Sequence, residues 1–357
     1  MTEPVSSFCA KVLADLSLEA FLFLDLLNIR YCCGFTGTDG AYIYTPEADY
    51  FLSDSRYLEQ SRQQVNAAQK ICYQNKFDAV VATLKDLGLK RIGFEADCLS
   101  VSQLQELTRR SQGLLEWIPV TGPIRPLRAL KSAAELELLQ QAADLNAAAF
   151  AEIERLIKPG VSEKTIAFEL EFALRRLGGE DRAFDFIVAS GPRGAMPHGV
   201  ASERLLEAGD LVTIDFGTRV SGYHSDETLT LGLGEVADDL RRVFDIVLEA
   251  HDLALAAAAP GVVLADLDAV ARAHITAAGY GENFGHGLGH GVGLDIHEYP
   301  TVSSRCFDQL QAGMVITIEP GIYLPGLGGV RIEDTVVITD KGCRALTKIP
   351  KKYRALA

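Results

Sequence analysis

Short runs of alternating or continuous apolar residues, broken by stretches of helical periodicity, set the pattern of the first 125 residues. Ile29–Cys33, Ala41–Thr45 and Tyr50–Leu52 are too short for a helical period and predict extended strands. Ser55–Ala67 and Lys76–Leu87 space their apolar positions for helices. Arg91–Glu95 predicts another strand, followed by a helix from about Ser100 to Arg110. Thr121-Gly122-Pro123-Ile124-Arg125-Pro126 then stops regular structure, because the two prolines lack backbone donors and Gly122 loosens the chain. The expected domain boundary lies there, separating an α/β unit over 1–125 from a second unit over 126–357.

The second unit opens on a strong helix signal. Ser132 and Glu135 are spaced for a capping box ahead of the run Leu136–Ile157, and Lys158-Pro159-Gly160 ends it. Ser162 starts another helix with Ile166, Leu170, Ala173, Leu174 and Leu177 on one face, stopped by Gly178-Gly179. Strands are expected at Phe184–Ser190 and Leu211–Asp215, then a hairpin-like stretch over Val220–Leu233. Helices over Val236–Ala259 and Leu264–Ala278 follow, and the rest reads as strands and glycine-rich turns. The order helix pair, strands, helix pair, strands implies an internal duplication, since 156–178 and 255–279 both read as helix, Pro-Gly, helix. A crevice between two such halves is a natural ligand site.

Composition narrows the classes. A net charge of −14 and a sequence pI near 5.0 disfavour nucleic acid and anionic membrane as partners. No apolar run reaches spanning length, and Lys, Asp and Glu interrupt the apolar stretches of the N-terminus, so neither a membrane span nor a secretory signal is expected. Seven cysteines without a C-x-x-C pair predict reduced thiols and a cytoplasmic location. Cys32 and Cys33 are expected as buried thiols on a strand.

Acidic residues break into the apolar runs of the C-terminal third. Leu211–Ile214 leads into Asp215, Met314–Ile318 leads into Glu319, and Glu333 lies inside Arg331–Ile338. Any one of these alone is most simply a solvated strand-end carboxylate. Asp215, Asp226, Glu319 and Glu333 together with His290 supply four carboxylates and one imidazole, a donor set able to hold two divalent cations that share a water. That implies metal-assisted hydrolysis. The glycines at 285, 287, 289, 291 and 293 would each cost a helix about 1 kcal/mol, so His286 and His290 do not sit on a metalloprotease-type helix, and His-Glu-x-x-His is absent. Alternating glycine predicts extended backbone packed closely against a neighbour. No strand, G-x-G-x-x-G, helix order marks a dinucleotide site.

These contexts, IDFGT, GYHSDET, HGLGHGVGLDIHE, TIEPGIY and VRIEDT, resemble those of the pita-bread (M24) metallopeptidases, and the stretch 286–298 resembles the proline-specific branch of prolidase and aminopeptidase P. Gly34–Gly40 and Tyr50–Tyr57 resemble the creatinase/prolidase N-terminal domain. The resemblance implies an α/β (α+β) chain, with a creatinase/prolidase-type α/β domain followed by a pseudo-two-fold pita-bread domain. It implies Asp215 as a ligand of one metal, Asp226 and Glu333 as bridging carboxylates, and His290 and Glu319 completing the second site. Manganese is the first expectation, with cobalt or zinc as alternatives. Glu319 is expected also to shuttle a proton, and His198, His286 and His297 to bind substrate and steady the developing oxyanion. Arg331 is expected to pair with a metal-site carboxylate or with the substrate's terminal carboxylate, and Tyr223 and Thr228 to bond the ligand shell. His224, His251 and His274 read as structural. Val220 and Leu229 replace the tyrosine and arginine of the prolidase-like pattern, which bears on substrate length. The implied activity is Xaa-Pro hydrolysis by a cytoplasmic homodimer acting on dipeptides, or on longer peptides as an aminopeptidase P. A metal-free creatinase-like hydrolase and a pita-bread binding module are the minor alternatives, since both are expected to lose ligands.

Overall fold

The computed structural model describes residues 3–356, which fall into two compact units, Met1–Arg128 and Ala129–Ala357. The first comprises α1 (Glu3–Asp15), β1 (Ala20–Phe23), α2 (Leu26–Cys33), β2 (Ala41–Tyr44), β3 (Asp49–Asp54), α3 (Leu58–Gln64), β4 (Gln69–Tyr73), α4 (Lys76–Asp86), β5 (Arg91–Glu95), α5 (Val101–Ser111), β6 (Glu116–Val120) and the start of α6 (Arg125–Ala129). Its strands form one mixed sheet in the order β4-β3-β2-β1-β5-β6. Alternation along β1 sends Phe21 and Phe23 to one core and Ala20 and Leu22 to the other, so both faces of the sheet are covered.

Ile29–Cys33 is helical, not extended as its sequence predicts. A five-residue apolar run carries no period, and the caps decide: the Asp25 side chain accepts from the Leu27 and Asn28 backbone N–H groups, and Gly34 ends the helix at φ 83°. Cys32 and Cys33 are buried as expected, but on α2. Burial pushes both thiols up, Cys33 to about 11, which leaves them protonated and unreactive. The helix expected over Ser55–Ala67 is a 3₁₀ turn at Ser55–Tyr57 followed by the short α3.

The second unit contains α7 (Ala133–Ile153), α8 (Glu163–Arg176), β7 (Ile187–Ser190), β8 (Leu211–Phe216), β9 (Arg219–Val220), β10 (Tyr223–His224), β11 (Glu227–Leu233), α9 (Asp238–Ala257), α10 (Leu264–Ala277), β12 (Gly289–Gly291), β13 (Glu298–Val302), β14 (Val315–Ile318), β15 (Gly321–Leu324), β16 (Gly328–Arg331), β17 (Asp334–Thr339), β18 (Gly342–Ala345) and β19 (Ala355–Leu356). The capping box at Ser132 and Glu135 is present. Two larger sheets form, β19-β11-β8-β7 and β13-β12-β14-β17-β18, beside the two-stranded sheets β10-β9 and β15-β16.

Backbone hydrogen bonds repeat between the halves. Gly160 N–H donates to Leu206 O as Gly261 N–H does to Leu310 O, Glu163 to Arg204 O as Leu264 to Asp308 O, and Lys164 to Ser202 O as Ala265 to Cys306 O. Each helix pair, α7 with α8 and α9 with α10, packs an apolar core against its own sheet. The pseudo-two-fold arrangement expected from the Pro-Gly turns is therefore present in the ladder of the backbone itself.

Candidate active site

Strand ends from both halves deliver the acidic residues to one cleft of about 580 Å³. Asp215 is the penultimate residue of β8 and lies opposite Thr228 of β11. Asp226 precedes β11, and Glu333 sits between β16 and β17, its N–H donating to Thr228 O at 3.1 Å. His290 is central in β12 and Glu319 follows β14. One hydroxyl links these two: Thr317 Oγ1 accepts from His290 N–H at 3.0 Å and donates to Glu319 Oε1 at 3.1 Å. All nine residues singled out in the sequence, these five with His198, His286, His297 and Arg331, line the cleft.

Asp226, His290 and Glu333 each present a ligand atom within 4.8 Å of the others. His290 Nε2 lies 3.6 Å from Asp226 Oδ2 and 3.3 Å from Glu319 Oε1. Its Nδ1 faces Gly291 O at 3.1 Å, so the proton belongs on Nδ1 and the Nε2 lone pair points at the carboxylates. Asp215 Oδ2 accepts from Arg331 Nη2 at 2.7 Å, and Glu333 Oε2 accepts from Thr228 Oγ1 at 2.6 Å. Their other oxygens, Asp215 Oδ1 and Glu333 Oε1, are buried with no hydrogen-bond partner. Buried carboxylate oxygens are normally satisfied, and two bare ones lining the cleft that holds the Asp226, His290 and Glu333 cluster suit a divalent cation.

Electrostatics agree. Burial, then the neighbouring carboxylates, hold Asp226 and Glu333 well above the usual acid range, and burial raises Glu319, opposed by His286 and Arg331. Burial lowers His290, His286 and His297, favouring the neutral imidazole that ligates metals. The bare cluster thus prefers to bind protons, and bound cations would take their place.

The remaining residues have defined partners. Arg331 is buried, with Nη1 donating to Tyr323 Oη and Pro197 O at 3.0 Å each, Nε to Thr228 Oγ1 at 3.3 Å and Nη2 to Asp215. Asp215 is thus one of the partners expected for Arg331. His286 has Nδ1 2.8 Å from Gly287 O and Nε2 2.8 Å from Tyr323 Oη. His297 packs edge-on against His290 with ring centroids 4.3 Å apart, and His198 is exposed on the loop after β7. Thr228 bonds the ligand shell as expected. Tyr223, on β10, donates to Glu135 Oε1 of α7 at 2.9 Å. His224 bonds Gly293 O and His251 faces Asp334, both structural contacts.

Three supports escaped the sequence. Tyr323 reads as a core residue of a short apolar strand, yet it joins His286 to Arg331. Glu163 reads as an ordinary first-turn acid, yet it is fully buried and accepts from the N–H and hydroxyl groups of both Ser190 and Ser202 and from Arg193, pinning both ends of the loop that carries His198. Arg272, paired with buried Asp268, donates to Phe284 O and His286 O and so fixes the approach to β12. Only the Asp-x-x-x-Arg spacing on a predicted helix hinted at the last.

A duplicated fold that gathers four carboxylates and an imidazole at the floor of a cleft defines a metallohydrolase. The chain belongs to metallopeptidase family M24, whose model matches residues 137–340, and the creatinase/prolidase N-terminal domain model matches residues 9–130. It is 38% identical over 352 residues to the Xaa-Pro dipeptidase of Pyrococcus furiosus, covering 96% of this chain and 97% of that one. The structure of an Xaa-Pro dipeptidase from Bacillus anthracis matches with TM-score 0.96 at 40% identity, covering 98% of this chain and 99% of that chain. An X-Pro aminopeptidase from Thermotoga maritima MSB8 matches with TM-score 0.89 at 36% identity, covering 97% and 100% respectively.

Proposed function

We propose that this metallopeptidase is an Xaa-Pro dipeptidase that holds two divalent cations with Asp215, Asp226, His290, Glu319 and Glu333. The observation that carries the metal reading is the gathering of Asp226, His290 and Glu333 ligand atoms within 4.8 Å of one another, in a cleft where Asp215 Oδ1 and Glu333 Oε1 are buried and unpartnered. In this reading Asp215 serves one cation, His290 and Glu319 the other, and Asp226 and Glu333 both. Bound divalent cations supply concentrated positive charge, which acidifies water and polarises a carbonyl oxygen. Manganese is the first candidate, with cobalt or zinc as alternatives.

The chain's own groups do the rest. Glu319, a carboxylate lining the cleft 3.3 Å from His290 Nε2, is the group we assign to take up a proton and pass it to the proline nitrogen as the bond breaks. His198, His286 and His297 line the space where the substrate carbonyl would lie and supply polar contacts to it. Arg331 fixes one oxygen of Asp215 and leaves the other for a ligand. An Xaa-Pro bond lacks an N–H, so a peptidase for it relies on such a shaped, polar cleft and not on backbone pairing. The likeness to two proteins named Xaa-Pro dipeptidase supports this substrate. The match to an X-Pro aminopeptidase keeps longer peptides as the second reading. A cytoplasmic homodimer is the working form we propose. All seven cysteines are free thiols, and among the described residues no helix is long and apolar enough to cross a membrane.

The test is hydrolysis of Ala-Pro, Ala-Pro-Ala and the proline-free control Ala-Ala by chelator-treated protein with Mn²⁺, Co²⁺ or Zn²⁺ returned. Metal-restored cleavage of Ala-Pro alone is expected. Equal cleavage of the tripeptide moves the assignment to aminopeptidase P, and no metal-dependent cleavage of any of the three overturns the reading.

A further inference from the structure

Behind the proposed ligands lies a second set of buried charges that does not reach the cleft. Asp226 and Glu333, the two carboxylates proposed to serve both cations, are each followed by another acid, Glu227 and Asp334. Those acids open β11 and β17, one in each half of the duplicated unit. Side chains alternate along a strand, so Glu227 shares its face with the core residues Leu229 and Leu231, and Asp334 shares its face with Val336 and Ile338. Thr228 takes the other face of β11 and bonds Glu333. Glu227 and Asp334 therefore point away from the cleft, and neither lines it, although both are buried.

One side chain joins them. Lys351 Nζ donates to Glu227 Oε1 at 2.7 Å and lies 3.5 Å from Asp334 Oδ1, with its side chain only 7% exposed. Two residues earlier, Ile349 N–H donates to the same Glu227 oxygen at 3.2 Å, and Thr347 Oγ1 donates to Asp334 Oδ1 at 2.5 Å. Residues 347–351 thus tie the start of β11 to the start of β17, and β19 then pairs with β11. Asp334 also has His251 Nε2 at 3.3 Å, whereas Lys351 is the cation facing Glu227 among the described residues, and Glu227 Oε2 is buried and bare. Two buried acids without a cation between them would push the strand starts apart, and the ammonium holds them together.

We infer that Lys351 is a positioning residue for the metal centre, setting the spacing of Asp226 and Glu333 by clamping the residue that follows each. This rests on the two-cation reading above. The two carboxylates come from different halves, so their separation depends on how closely the starts of β11 and β17 approach. On the cleft side Thr228 links those starts, its hydroxyl donating to Glu333 Oε2 and its carbonyl accepting from Glu333 N–H, and Thr335 Oγ1 donates to Asp226 O at 2.7 Å. On the reverse side Lys351 makes the link. Carboxylates that serve two cations must hold them about 3.5–4 Å apart, a tighter demand than holding one. The second cation bound is therefore the one that depends on Lys351.

The experiment titrates Mn²⁺ into the chelator-treated full chain by calorimetry and records the melting temperature of each metal-free form. Wild type is expected to take two Mn²⁺ per chain. Lys351→Met combined with Glu227→Gln removes the ion pair as a unit, so that no unmatched acid is left at 227. It is expected to weaken the second Mn²⁺ by roughly 10- to 100-fold, the usual effect of losing a group that orients a ligand. Arg354→Gln is the control, since it breaks the contact with Glu154 on the same segment without touching Glu227 or Asp334. It should lower the melting temperature and leave both Mn²⁺ affinities at wild-type values. Glu227→Gln alone, the milder change, serves if the double variant does not fold, and it too should weaken the second Mn²⁺ more than the first. Wild-type Mn²⁺ affinities in the Lys351 and Glu227 variants overturn the inference, as does an equal loss in Arg354→Gln, which would assign the effect to the stability of the segment. A wild type that takes fewer than two Mn²⁺ overturns the two-cation reading itself, an outcome distinct from failure of Lys351.

Discussion

Buried carboxylates in this chain differ in how fully donors meet their oxygens. Glu163 is surrounded by five donors and serves only to hold a loop, whereas Glu333 and Asp215 each keep one bare buried oxygen. Leaving such an atom unsatisfied costs on the order of 1–3 kcal/mol, a cost understandable where a cation is to be bound. Glu95, in the first unit, is intermediate. It accepts from Leu24 N–H at 2.6 Å, Asp25 N–H at 2.7 Å and Asn28 Nδ2 at 2.5 Å, yet burial outweighs these donors and pushes its carboxyl up to about 7. The folded state therefore holds this proton more tightly than the unfolded chain, whose carboxyl titrates near 4.5. Its contribution to stability is complete below pH 4.5 and is lost as pH rises through 7, about 3 kcal/mol in all. Denaturant unfolding of the full chain at pH 5 and pH 8 should show this loss, and Glu95→Gln should flatten it. An unchanged slope in the variant would mean that the three donors keep Glu95 ionised throughout.

At the level of elements, glycine does for β12 what caps do for α2. A Cβ on Gly289 would lie 2.1 Å from Thr317 O, and one on Gly291 2.5 Å from Tyr299 O, so β12 can sit between β13 and β14 only without side chains at those positions. Gly289→Ala must push β12 off the backbone of β14 and carry His290 with it. We expect a loss of about 1–3 kcal/mol in stability together with weaker metal binding by titration calorimetry. Gly285→Ala is the control, since an added Cβ there meets nothing within 4 Å, and it should leave both unchanged. The alternating glycines made this close approach legible in the sequence, as did the capping box of α7 and the Pro-Gly turns of both helix pairs. The strand expected at Ile29–Cys33 was misread because a short apolar run fits either state, although Asp25 and Gly34 marked both ends of the helix. β1, β4 and β6 went unnoticed for a related reason: four or five residues with no flanking period carry little local signal. At the cleft, the presence of Asp215, Glu319 and Glu333 was legible from acids that break apolar runs. The Arg331 to Tyr323 to His286 chain was not, because it depends on the pairing of β15 with β16, which brings Gly321 opposite Arg331.

For the molecule as a whole, the duplication divides the proposed metal donors between two sheets. Asp215 and Asp226 belong to β8 and the approach to β11 in the first half, while His290, Glu319 and Glu333 belong to β12, β14 and the approach to β17 in the second. Without cations, the halves meet at this point through carboxylates whose burial, and then mutual repulsion, raises Asp226 and Glu333. Ligands that bind only the folded state stabilise it by mass action, about 3 kcal/mol at a hundredfold excess over Kd. For a unit of this size each kcal/mol moves the midpoint by about 2–4 °C, so adding Mn²⁺ to chelator-treated protein should raise the catalytic unit's melting temperature by roughly 5–10 °C. Glu333→Gln separates the two contributions. It removes a buried acid that must take up a proton to sit among its neighbours, and one of the proposed ligands, so its metal-free form should melt above metal-free wild type while gaining little from added metal. Calorimetry with and without Mn²⁺ reads both effects. A variant that melts below metal-free wild type would mean that Glu333 holds the two halves together through Thr228 alone, and a full metal-dependent gain in the variant would remove Glu333 from the donor set.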